Sequence, residues 1–349
     1  MPLAPVDNKG TQLYYEDTGA VEGVSYTTLI IVHGTGIHGA FFRPMLSFAA
    51  QNNLRVVLVN RRDYPGSTPI SDEELATIGK GSTPEAQSAF MTSRGLEIVE
   101  FLAWFVKSQD IPPISHGDGK MEGGLAVVAW SSANATFLAL FSHLDQVSSE
   151  NRDLLESYFR TYVFYDGPRW AIGYPHIEGF SRPFYTVTTE HERFEVFKSW
   201  ISAYYQHPNI EARSLAGLTD KALVKEKVAT FSRMTPEEID AVTSRTALFH
   251  SEPLVRTIDP DVFGAHMRKA LFDKEMARVW PGTQVKLLQC SESLWETLHV
   301  LWELEALYDE NRANGSSGRA MEFHMMTEAN HCAQWDEPER LTRLLATIV

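Results

Sequence analysis

Short, continuous apolar runs rich in β-branched residues, each ending at a turn, constrain this chain more than any other feature. The run 28–32 (TLIIV) stops at His33-Gly34-Thr35-Gly36. Residues 162–165 (YVFY), 284–289 (QVKLLQ) and 320–326 read as further strands, and the runs at 54–60 (LRVVLVN) and 125–129 (LAVVA) repeat the continuous pattern. Such a run has no polar face. As a strand it must be covered on both sides, which is the condition of a parallel sheet between helical layers. Helical segments duly alternate with the runs. Residues 83–107 place Phe90, Leu96, Val99, Leu102 and Val106 near one side, and Pro84 follows Ser82 and Thr83 as an N-terminal signal. Further helices are read at 132–143 and about 297–311, with loops at 111–124 and 313–319. Gln12–Asp17 alternates and reads as an edge strand.

Between about 170 and 280 the character changes. Aromatic and polar residues mix, amphipathic segments recur (EHERFEVFKSWISAYY, TPEEIDAVTSRTALF) and buried-strand runs stop. This predicts a helical cap over 170–280 inserted into a core formed by 1–169 and 281–349. The cap would cover the carboxyl ends of the strands, where open α/β sheets place their sites. A length of 349 residues suits one catalytic domain with such an insertion.

The charge balance is 31 basic against 45 acidic residues, a net −14. That argues against a nucleic-acid partner, which needs a basic surface. A strongly anionic substrate would need a local basic pocket, and no cluster in the sequence marks one. Two cysteines, Cys290 and Cys332, make no disulfide scaffold; they may be expected to lie close together, after neighbouring strands, as buried thiols. The N-terminal segment lacks the basic start and apolar run of a signal peptide. No stretch is long and apolar enough to span a membrane, and the C-terminal LLATIV has no recognisable address. A cytosolic enzyme acting on a small molecule is the default expectation, with no membrane insertion and a homodimer left open.

The chemistry centres on LAVVAWSSANATFLAL. A buried strand ends at Ala129, a helix opens after Ser132, and Ser131 sits on the turn between them. A nucleophile elbow needs small residues two before and two after the serine, because the turn is sharp. Ala129 and Ala133 meet that demand, less comfortably than glycine. Ser132 is the poorer nucleophile, flanked by Trp130 and Asn134. A plain helix cap would explain both serines equally well. The turn after 28–32 offers the Thr35 amide, beside the Ser132 amide, as oxyanion donors; His33 there reads as structural. His331, in ANHCAQWDEP past the last strand, is the candidate base. His324 falls inside a strand and His299 inside a helix. The carboxylate is either Asp166 in VFYDGPRW, which is preferred, or Glu292 in CSES.

Together YYEDTG, IVHGTGIHG, VLVNRRDYPGST, VVAWSSANA, VFYDGPRW, VKLLQCSES and ANHCAQWDEP resemble the α/β-hydrolase superfamily, in particular capped fungal serine hydrolases. The resemblance implies an α/β-hydrolase fold: a mostly parallel central sheet, helices on both faces and an inserted helical cap. It implies Ser131 as nucleophile, His331 as base, Asp166 (alternatively Glu292) as acid, and Thr35 and Ser132 as oxyanion donors. No cofactor and no metal are called for. The expected reaction is hydrolysis of a carboxylic ester or lactone through an acyl-enzyme. Acyl transfer, cyclisation, carbon–carbon cleavage or non-catalytic ligand binding stay open. Aromatics in the insertion, among them Trp170, Phe184, Phe194 and Trp200, suggest an apolar or aromatic substrate, although most are expected to form the cap's own core.

Overall fold

The computed structural model describes residues 2–117, 120–181, 183–315 and 318–349; the expected loops at 111–124 and 313–319 thus each include two residues outside the described set. The apolar runs become the strands of one sheet. Its members are β1 (Leu3–Pro5), β2 (Gln12–Asp17), β3 (Thr27–Val32), β4 (Leu54–Val59), β5 (Leu125–Trp130), β6 (Phe159–Tyr165), β7 (Gln284–Cys290) and β8 (Met321–Met326). Their order across the sheet is β1-β2-β4-β3-β5-β6-β7-β8. β1 and β2 run antiparallel to their neighbours, and the remaining strands pair in parallel. Gln12–Asp17 is therefore not the edge strand. The three-residue β1 lies outside it, too short and too close to Pro5 to announce itself as a strand.

The period-2 geometry of a strand explains why the runs are apolar throughout. Ile30, Val32, Val57, Val59, Val127 and Ala129 point into one core, with α1 (Pro84–Gln109), α2 (Ala133–Ser142) and much of the helix Trp295–Ala313 below. Leu29, Ile31, Val56, Leu58, Ala126 and Val128 point into the other. There the covering elements are the 3-10 stretch Gly39–Phe48 and a C-terminal helix whose Leu341, Leu345 and Ile348 share one face.

The described residues of 170–280 contribute no strand to the main sheet and form short helices joined by turns, including α3 (Glu190–Ile201), α4 (Ser251–Val255) and α5 (Pro260–Phe272). α3 packs Phe194, Phe197 and Ile201 into the second core. α5 sits in the first core, where Met267, Ala270 and Leu271 join Phe137 and Leu138 of α2. α6 (Trp295–Ala313) follows β7 and covers the same face.

Candidate active site

The turn from β5 into α2 puts Ser131 at φ 56°, the left-handed region that a side chain with a Cβ rarely occupies. Such a conformation costs about 1–2 kcal/mol and persists only where its surroundings enforce it. Here they do. The Ser131 amide donates to the Tyr165 carbonyl at 2.9 Å, extending the pairing with β6 one residue past the strand. The buried Asn134 amide donates to the Ser131 carbonyl at 2.8 Å, and the Tyr162 hydroxyl donates to Asn134 Oδ1 at 2.8 Å. Ala129 and Ala133 are fully buried beside the turn, so nothing larger than a methyl enters it. The turn after β3 presses on the same serine. A Cβ built on Gly34 would lie 2.7 Å from the Ser131 Cβ, closer than real Cβ atoms come.

His331 lies between β8 and the short helix Ala333–Asp336. Its Nδ1 is 2.6 Å from Asp166 Oδ2, and both side chains are buried. Asp166 ends β6 at φ 49° and is anchored through its amide to the Leu288 carbonyl at 2.8 Å. Its Oδ1 accepts the Cys290 amide at 3.1 Å, and its Oδ2 also accepts the Ser293 hydroxyl at 2.5 Å. Each carboxylate oxygen is thus fixed by a donor other than His331. With Asp166 accepting from Nδ1, the neutral ring presents its lone pair at Nε2. That Nε2 is buried and has no hydrogen-bond partner among the described residues. Trp130 steadies the ring: its indole N–H donates to the His331 carbonyl at 3.1 Å, and the two rings lie 4.7 Å apart. Ser131 and His331 line one cavity, without a hydrogen bond between Ser131 Oγ and Nε2.

Of the other candidates, Thr35 and Ser132 lie beside Ser131, and the rest are placed elsewhere. Glu292 accepts an ion pair from Lys227 at 2.5 Å, so of the two acids the structure brings only Asp166 to the histidine. The Ser132 hydroxyl is hydrogen-bonded to Thr35 Oγ1 at 2.9 Å. His33 is fully buried, with Nδ1 bonded to the Gly34 carbonyl and Nε2 accepting the Arg61 amide. Burial first, and the nearby Arg61 charge second, hold it well below the usual histidine range. His299 bonds Arg169, and His324 pairs with Glu322. Cys290 and Cys332 are both buried and free.

Four side chains that sequence reasoning did not single out complete the site. Glu252 of α4 reaches down from the insertion and is buried. Its Oε2 accepts Thr35 Oγ1 at 2.7 Å; its Oε1 accepts Arg61 at 2.7 Å and the Tyr64 hydroxyl at 2.6 Å. Arg61 also donates to the Gly34 carbonyl at 2.8 Å, and the Gly36 amide donates to Tyr64 at 2.8 Å. The Gly34-Thr35-Gly36 loop is therefore held by one carboxylate from outside the core. Ser293 is the fourth. RRDYPGST was legible only as the turn ending β4, and nothing in α4 signals that Glu252 meets it.

The cavity above Ser131 has a volume of about 470 Å³. Ser131, Ser132, Thr35, Asp166 and His331 form its floor, and Trp170, Phe184, Phe197, Trp200 and Leu248 contribute apolar wall. Phe194, Tyr204 and Tyr205 are instead packed inside. Among the described residues no group of three or more His, Cys, Asp or Glu could hold a metal ion, and no helix is long and apolar enough to cross a membrane.

No family model matches the chain, and no curated protein matches it in sequence. Solved structures do match over nearly its whole length. A serine hydrolase from the polyaromatic-hydrocarbon-degrading bacterium Cycloclasticus zankles is 10% identical, with 99% of this chain and 96% of that chain covered and a TM-score of 0.54. A thermophilic esterase from Thermogutta terrifontis is 13% identical over the same shares, with a TM-score of 0.51. An N-acyl homoserine lactonase is 12% identical, covering 99% and 97%, with a TM-score of 0.52. At such identities the likeness establishes the fold: the chain has the α/β-hydrolase fold, with a mixed, mostly parallel eight-stranded sheet.

Proposed function

We propose that this protein is a serine hydrolase that cleaves a carboxylic ester or lactone of an apolar, aromatic-bearing small molecule through an acyl-enzyme. One observation supports it above the rest. A serine held at positive φ on a strand-to-helix turn shares a cavity with a histidine whose outer nitrogen is buried and unpartnered while its inner nitrogen is tied to a buried carboxylate. A buried unpaired acceptor is costly, and such atoms in native proteins call for an explanation. A base awaiting the proton of a nucleophile provides one; the missing Ser131 hydrogen bond would form as substrate binds.

In this reading Ser131 Oγ attacks the carbonyl carbon as His331 Nε2 takes its proton. Asp166 orients the imidazole and stabilises its charged form, with Ser293 holding the carboxylate in place. The oxyanion is received by the amides of Thr35 and Ser132, the latter at the N-terminus of α2. His331 returns the proton to the leaving alcohol, and water then releases the acyl group by the same steps in reverse. Glu252 positions the loop bearing Thr35, and its charge is balanced by Arg61. The part of 170–280 that carries Trp170, Phe184, Phe197, Trp200 and Leu248 over Ser131 acts as the cap in this reading, in keeping with the capped members of the fold.

The likeness to an esterase and a lactonase agrees with this chemistry. A fluorophosphonate probe is expected to label the protein, and Ser131→Ala to abolish labelling while the fold stays intact. Turnover of short p-nitrophenyl esters should accompany labelling. A folded wild-type protein that is not labelled would overturn the proposal.

A further inference from the structure

The cleft above Ser131 extends away from the floor. Trp170, Phe184, Trp200, Arg256 and Glu296 line both the 470 Å³ cavity and a neighbouring one of about 250 Å³, so the two form one elongated channel. Two of its three carboxylates are tightly matched. Glu252 pairs with Arg61 at 2.7 Å. Asp166 is bonded to His331, Ser293 and the Cys290 amide. Glu296 accepts the Arg169 amide at 3.3 Å and faces the Arg169 charge.

Two cations in the wall are not matched. Arg256 lies over the Trp170 ring, 4.5 Å from its centroid, and lines both cavities. Arg193 lies over the Phe184 ring at 6.0 Å, with Nε donating to the Val187 carbonyl at 3.1 Å. Neither has a carboxylate within ion-pair distance among the described residues. Stacking on an aromatic face steadies a guanidinium while leaving its edge N–H groups free for a planar anion. In a chain with a net charge of −14, such cations stand against the general field.

We propose that this channel selects esters bearing a second, free carboxylate on an aromatic body, with the body against Trp170 and Trp200 and the carboxylate on Arg256 and Arg193. The inference deepens the hydrolase reading by naming its substrate class, but the anion subsite itself does not depend on turnover. It is therefore tested by binding. Titration calorimetry at low ionic strength compares naphthalene-2-carboxylate with its neutral carboxamide. The carboxylate should bind wild type about tenfold more tightly, and high salt should erode that preference. The double variant Arg193→Gln, Arg256→Gln should bind both compounds alike. Equal affinities in wild type, or a preference that survives in a double variant with an intact melting transition, would overturn the subsite. If the double variant does not fold, the wild-type preference and its salt dependence still decide. Because Ser131→Ala keeps the channel, it should retain the preference; a wild-type protein that shows the preference but takes no probe label would overturn the hydrolase reading alone, and one that is labelled but shows no preference would overturn this one alone.

Discussion

At the scale of single residues, the strain at Ser131 makes an unusual stability ordering testable. At an ordinary position glycine is less stable than alanine by about 0.5–1 kcal/mol, because it loses more freedom on folding. At φ 56° the alanine bears the left-handed penalty and glycine does not. Ser131→Gly is therefore expected to melt at or above Ser131→Ala, although both are inactive. A clearly lower melting temperature for the glycine variant would mean that the turn is not strained. A second residue-scale test concerns Glu252. Glu252→Gln removes the charge opposite Arg61 and leaves Thr35, Tyr64 and Arg61 to share a weaker acceptor. If Glu252 positions the oxyanion loop, kcat should fall by about tenfold to a hundredfold with KM changed far less, since an oxyanion donor acts in the transition state. An unchanged kcat would reduce Glu252 to a packing residue. The two carboxylates also differ: Asp166→Asn should cost several orders of magnitude in kcat, because Nδ1 loses the anionic acceptor that fixes the ring's tautomer and stabilises its charged form, whereas Glu292→Gln should leave kcat within about twofold.

At the scale of elements, the site arises because β3 and β5 are neighbours whose exit turns abut. The Gly34 backbone lies so close to the Ser131 side chain that a methyl group on Gly34 would stand 2.7 Å from the Ser131 Cβ. Gly34→Ala is expected to force one turn away, destabilising the fold by about 1–3 kcal/mol and abolishing probe labelling. A variant labelled at the wild-type rate would show that the turns tolerate separation. This geometry also explains how much was legible in the sequence. The strands β3 to β7 announced themselves because burial on both faces leaves few polar positions. Ser131 was legible because such a run, ending in small residues before a helix, leaves one place for an elbow. Asp166 was legible only by the absence of an aspartate after β7, where Ser293 now donates to it. β1 was too short to read. Glu252 was not legible because its partners Thr35, Arg61 and Tyr64 lie some 190 to 217 residues away in sequence, and no local pattern encodes a contact of that range. Arg193 and Arg256 escaped for a related reason: a basic pocket built from two separate helical segments leaves no basic cluster in the sequence.

For the whole molecule, buried histidines set the response to acid. His38, His266 and His299 are each lowered to about 4, in every case first by burial. Arg43 adds to the effect on His38, His143 and Lys269 on His266, and Arg169 on His299. In the unfolded chain these rings titrate near the ordinary 6.5. Between pH 6.5 and 4 the unfolded state therefore binds more protons than the folded one. Stability is then complete above that window and declines as the pH falls through it. Glu74 extends the decline. Burial alone would raise it, but Arg62 and Arg94 hold it at about 2, so its contribution is present above the usual carboxylate range and is lost below it. Glu97 works in the opposite sense, since burial raises its carboxyl and its ionisation is disfavoured in the fold. Three histidines against one carboxylate leave the decline dominant. The melting temperature should therefore fall steadily from pH 7 to pH 4.5. His266 provides the internal control, because its Nε2 bonds only the Ser88 hydroxyl at 2.8 Å and its Nδ1 has no partner. His266→Gln should flatten the slope of unfolding free energy against pH by up to about 1.4 kcal/mol per unit within the window. A slope identical to wild type would mean that His266 is protonated in the folded protein, and the burial argument would then fail for its neighbours as well.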